Sequence, residues 1–190
     1  MSARGEVIVV RSLAESDLGL FAAHRSHATS KQRAIAVTVP VARALLSPRL
    51  YVANGARMDV ICVYAQSGVR ELRHIGKVGK NWRLGGRKIE IGACGFLDSK
   101  DFVLIRTVGQ NDGNLPLLMT FVGRQRERLL HAGIVASLDG RFTDSTAILP
   151  QGTDLFEAVA EAFPSVPSSL AVGLPADIAE PDDVPTRAAG

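Results

Sequence analysis

The chain has little that would fix it outside a reducing compartment or in a membrane. It carries two cysteines, Cys62 and Cys94, in 190 residues, too few for a disulfide framework and readable as two small buried side chains. Arg4 and Glu6 interrupt the N-terminus, and the apolar run at 7–10 is too short for a signal peptide. No stretch approaches the roughly 18 apolar residues of a membrane span. A cytoplasmic protein is expected. No repeat of solenoid length recurs.

Catalytic signatures are equally scarce. There is no Gly-x-Ser-x-Gly elbow and no Cys–His dyad. Gly76-Lys-Val-Gly-Lys80 has two glycines and two lysines but neither the Walker spacing nor a terminal Gly-Lys-Ser/Thr. His24 and His27 have helical metal-ligand spacing, yet no acid or cysteine joins them, and a polar loop accounts for them better. A nuclease needs acids near a lysine; only Asp98-Ser99-Lys100 offers that spacing, and a turn at the start of a strand explains it. The reading is therefore a non-enzyme with no cofactor and no metal, any nuclease activity needing a separate domain or subunit.

What the chain does have is segregated charge. The formal net charge is only +3. Residues 20–110 nevertheless hold fifteen Lys/Arg against five acids, a net of +10, while residues 151–190 hold seven acids against one Arg, a net of −6. A basic half of this kind can present a positive face to a polyanion. Two basic segments stand out. Ser30-Lys31-Gln32-Arg33, close after Arg25, joins cations to an amide able to read a base edge. The second runs from His74 to Lys88, with Lys77, Lys80, Asn81, Trp82, Arg83, Arg87 and Lys88. Its five cations sit in fifteen residues among glycines that admit close backbone approach. Trp82 reads either as a barrel anchor or as a base-stacking ring.

The secondary-structure pattern is mainly β with short helices. Seven short strands are expected at 7–11, 34–39, 59–66, 69–75, 88–91, 102–108 and 117–122, with a hairpin loop at 110–114. A capping box at 12–15 leads into a short helix or turn, Pro40 opens a helix at 41–46, and 124–131 is a polar helix or loop. An amphipathic helix within 151–163 takes Thr153 as its N-cap. Many short strands and few helices argue for a closed or partly closed barrel. The organisation is one domain, 1–165, followed by a disordered Pro-, Ala- and acid-rich tail, 166–190.

The order of these pieces carries a resemblance. A first strand, Leu13-Ala-Glu-Ser-Asp-Leu-Gly19, a polar loop, Ala34-Ile-Ala-Val-Thr-Val-Pro40 and Val41-Ala-Arg-Ala-Leu-Leu-Ser-Pro48 are followed by Lys80-Asn-Trp-Arg83 and the strands at 102–108 and 117–122. Over residues 5–165 this resembles the N-terminal effector-DNA-binding domain of EcoRII-type restriction endonucleases. The resemblance implies a seven-stranded open DNA-binding pseudobarrel, a fold shared with plant auxin-response-type transcription factors. It also implies two arms, 24–33 and 74–88, that clamp the major groove of double-stranded DNA. Such a domain would serve target recognition in a restriction or defence system, with a nuclease partner elsewhere. By position the DNA-contacting residues would be Arg25, Ser30, Lys31, Gln32, Arg33, Lys77, Lys80, Asn81, Trp82, Arg83, Arg87 and Lys88. Two other readings stay open: a small metal-dependent nuclease around Asp98 and Lys100, and a protein-interaction module that docks through the acidic tail.

Overall fold

The computed structural model describes residues 6–22, 34–45, 57–78, 81–90, 95–107, 116–142 and 145–163. Eight strands build one sheet: β1 (Val7–Ser12), β2 (Ala34–Val37), β3 (Arg57–Tyr64), β4 (Arg70–Val78), β5 (Asn81–Gly85), β6 (Phe102–Thr107), β7 (Leu117–Val122) and β8 (Thr146–Pro150). Their order is β2-β5-β4-β3-β7-β6-β1-β8, which leaves β2 and β8 at the edges. All pairings are antiparallel except β3 with β7. Three short helices, α1 (Val39–Leu45), α2 (Arg128–Leu138) and α3 (Asp154–Ala160), complete the elements with a 3-10 turn at Glu15–Leu20.

The mainly-β reading holds, but the strands differ from the seven expected. The strand expected at 88–91 is not formed by its described residues, 88–90, where Ile89 makes only an isolated bridge with Phe21. Two others are new. The β5 segment pairs with both β2 and β4, and β8 pairs with β1. The helix after β7 begins at Arg128, beyond a turn, and runs longer than the polar segment expected there. The capping signal near residue 15 is also shifted. Asp17 Oδ2 accepts from the Ala14 amide at 3.0 Å, and alanine has no side chain to reciprocate. The hairpin loop at 110–114 and the tail at 166–190 lie outside the described residues.

The sheet curls so that its inner face encloses one core. Ile35 and Val37 of β2 join Val9 of β1, Val103 and Ile105 of β6, and Met119 and Phe121 of β7 in a single apolar cluster. Leu18, Leu20 and Phe21 of the 3-10 turn belong to it too. Phe121 packs edge-on against Phe21 at 5.2 Å and stacked on Tyr64 at 6.2 Å. The continuous apolar runs of β1, β6 and β7 follow from burial on both faces. Their alternate residues (Ile8, Val10, Leu104, Leu118, Val122) form a second core with α2 and α3 on the outside of the barrel. Thr153 Oγ1 accepts from the Phe156 amide at 3.2 Å, the N-cap expected for α3.

Among the described residues that outer helix layer is one-sided. It covers β1, β6, β7 and β8 and reaches the Val63 end of β3. The outward residues of β2, β5, β4 and the start of β3 belong to neither core. On β5, Asn81 and Arg83 are exposed while Trp82 and Leu84 are buried; on β3, Arg57 and Asp59 are exposed while Val60 is buried.

Candidate nucleic-acid interface

The uncovered face is ordered by strand register. Gly76 of β4 lies opposite Arg83 of β5 and Arg57 of β3, and Arg83 lies opposite Ala36 of β2. One row across four strands therefore reads Arg57, Gly76, Arg83, Ala36. The adjacent row reads Asp59, His74, Gly85, Ala34. Two glycines and two alanines keep the floor low between two arginines. Strand spacing of about 4.8 Å puts the Arg57 and Arg83 backbones roughly 10 Å apart. A Cβ on Gly85 would come within 2.5 Å of His74 Nε2, so the imidazole lies directly over this glycine.

The electrostatics of the face are mixed but lean positive. Arg57 Nε donates to Asp59 Oδ1 at 3.4 Å, an exposed pair worth about 0–1 kcal/mol. Burial pushes the His74 pKa below its ordinary value, with Arg57 adding to the effect and Asp59 opposing it. His74 therefore carries little charge at neutral pH.

Beneath the face a buried polar cluster fastens the hairpin to the segment that follows it. Arg73 points into the barrel and is 1% exposed. Its Nε donates to the Tyr64 hydroxyl at 2.7 Å and to Glu71 Oε2 at 3.0 Å; Nη2 donates to the Arg87 carbonyl at 2.8 Å. Tyr64 in turn donates to Glu71. Burial opposes the charge on Arg73, yet Tyr64 and Glu71 hold its pKa above the ordinary value. Burial also pushes the neighbouring Cys62 thiol up to about 12.

The site residues expected from sequence divide into three groups. Asn81 and Arg83 stand exposed on the uncovered face, and Arg87 and the half-buried Lys88 follow just after β5. Of the two readings of Trp82 the structure agrees with the barrel anchor: it is 2% exposed and packs in the inner core, which corrects the DNA contact that the resemblance implies for it. Lys77 pairs in register with Trp82, which puts it on the barrel side of the sheet, half-buried, opposite to Asn81 and Arg83. Arg25, Ser30, Lys31, Gln32, Arg33 and Lys80 lie outside the described residues. The sequence reading missed Arg57 and left His74 unassigned. The β3–β4 and β4–β5 registers together bring them near Arg83.

The alternative nuclease residues sit elsewhere, at the start of β6. Asp98 Oδ2 pairs with the Arg124 guanidinium, and Lys100 occupies a left-handed turn at φ 72°. Asp101, 1% exposed, accepts from the Asp98 and Arg124 amides at 2.8 and 3.1 Å. His131 Nε2 lies 3.5 Å from Asp101 Oδ1 and 3.2 Å from the Lys100 carbonyl. Among the described residues no three His, Cys, Asp or Glu side chains come together as a metal site. Nor is any helix among them long and apolar enough to cross a membrane.

No protein-family model matches the chain, and no curated protein matches it. Among solved structures it is similar to the N-terminal domain of Helicobacter pylori LlaJI.R1. The two are 12% identical, with 75% of this chain and 97% of that chain covered, at a TM-score of 0.41. A likeness of that size carries no argument about what this chain does.

Proposed function

We propose that this chain binds double-stranded DNA sequence-specifically, through a β4–β5 arm and a second basic arm at residues 24–33. Its role in this reading is target recognition in a restriction or defence system. One observation carries it: among the described residues the outer helices cover only the β1, β6, β7 and β8 part of the sheet, and the part left open bears Asn81, Arg83 and Arg57 over a glycine- and alanine-rich floor. A floor without bulky side chains admits a duplex closely, arginines neutralise phosphates, and Asn81 has the donor–acceptor pair that reads adenine. The net charge of +10 over residues 20–110 supplies the long-range attraction.

In the same reading the chain does not cut DNA. The Asp98 carboxylate is engaged by Arg124, and Lys100 serves a turn; cleavage falls to a separate domain or subunit. Selection from a random duplex library, read by sequencing, tests the first claim. A defined motif is expected, and unenriched output sinks sequence specificity. Incubation of DNA with the protein and magnesium tests the second, where cleavage lost on Asp98→Ala would overturn it.

A further inference from the structure

Three cationic or titratable groups share the face that the described residues leave open. Arg57 contributes only its Nε to Asp59; its two terminal nitrogens have no partner among the described residues. The Arg83 side chain is exposed, with no ion pair or hydrogen bond among them. The His74 imidazole, half-buried over Gly85, makes no hydrogen bond among them either. Arg57 and Arg83 flank Gly76, and His74 lies two residues along β4 from that glycine. Two residues of strand span about 6.7 Å, so His74 stands roughly 8 Å from each arginine backbone. Arginine side chains of this reach can close on one anion from both sides while the imidazole meets it from the third.

We infer that Arg57, Arg83 and His74 form a receptor for one backbone phosphate of duplex DNA on the sheet face beside the β4–β5 hairpin. This rests on the DNA-binding reading and sharpens it. Phosphate is the group that such a tripod recognises: two guanidinium forks donate to its oxygens, and an imidazole adds a third donor when protonated. The charged groups that act on His74 are Arg57 and Asp59 from β3 and Arg73 from its own strand; Arg83 of β5 lies in the adjacent row, and β2 offers only Ala34 and Ala36. In the free protein, burial and Arg57 keep His74 neutral. A docked phosphate reverses that balance, so His74 takes up one proton from solvent as DNA binds. Asp59 steadies Arg57 through Nε and repels the same phosphate.

The test uses the full chain with His24→Gln and His27→Gln, so that titration in the first arm does not enter. His131 is held in the turn with Asp101 and Lys100 and stays in place. The probe is random-sequence duplex DNA, titrated by fluorescence anisotropy against salt and pH. Arg57→Gln and Arg83→Gln should each weaken binding about tenfold at low salt and lower the salt slope by about one. Affinity should rise as pH falls through the His74 titration, by up to about tenfold per unit. His74→Gln should flatten that rise while leaving the fold intact, and Asp59→Asn should tighten binding. Duplex binding with slopes unchanged in both arginine variants, or a pH profile unchanged in His74→Gln, overturns the phosphate receptor alone. Failure of the unsubstituted protein to bind duplex at low salt overturns the DNA-binding reading beneath it.

Discussion

Replacing Arg73 by methionine keeps most of the side-chain volume and removes the guanidinium from the centre of the barrel. Four contacts vanish: two to Glu71, one to the Tyr64 hydroxyl and one to the Arg87 carbonyl. Breaking a buried ion pair from one side costs about 3–5 kcal/mol, because the partner is left charged. The Glu71 side chain is 19% exposed and keeps its bond to Tyr64, so it is only partly stranded, and the lower end applies. A loss of about 3 kcal/mol corresponds to a drop in Tm of roughly 6–12 °C for a domain of this size. Urea unfolding followed by the fluorescence of Trp82, the single tryptophan and a buried one, measures it directly. Arg73→Met/Glu71→Gln should recover at least about 1 kcal/mol, since the stranded charge is then gone. A single variant that loses less than about 1 kcal/mol would refute the reasoning, as would a double variant no more stable than the single.

Other expectations follow from the same geometry. With Cys94→Ser, the remaining thiol, Cys62, should stay inert to alkylation in the native protein at pH 8, because burial holds it protonated, and react only on unfolding. Thr153→Ala removes the α3 cap and should cost about 1 kcal/mol in the same urea assay. His74 has a folded pKa below its unfolded value, so its contribution to stability is present above about pH 6.5 and is lost as pH falls below it. The acid limb of stability against pH should therefore be shallower in His74→Gln than in the unsubstituted protein. Asn81→Ala should relax base preference at one or two positions by about 1–3 kcal/mol, whereas Lys80→Ala should weaken all duplexes alike.

The strands buried on both faces were the legible ones. Val7, Ile8, Val9 and Val10, and the runs of β6 and β7, are apolar whichever way each residue points, so no register was needed to see them. The β5 segment was missed because Asn81 and Arg83 face out and two glycines, Gly85 and Gly86, stand at its end. The alternation that marks a half-exposed strand was read as a basic loop. In β8 a terminal Pro150 concealed a strand whose stability comes from β1, far away in sequence. For the site, charge density located the hairpin but could not divide its faces. Lys77 and Trp82 turn inward and Asn81 and Arg83 outward, a distinction that pairing with β2 and β3 decides. Arg57 and His74 are brought together by a register between strands, and composition carries no trace of that.

The placement of β1 also sets a constraint on how the chain is made. Its two partners lie far downstream: Ile8 pairs with Arg106, and Val7 pairs with Pro150, 143 positions later. During synthesis this apolar strand waits without either neighbour until β6, and then β8, leaves the ribosome. Closing such long loops comes late and slowly, and an unpaired valine-rich edge is the kind of segment that associates with other chains in the meantime. The β4–β5 hairpin needs only two intervening residues to form. The hairpin proposed to contact DNA can thus be shaped early, while the wall that supports it is the last part to be finished.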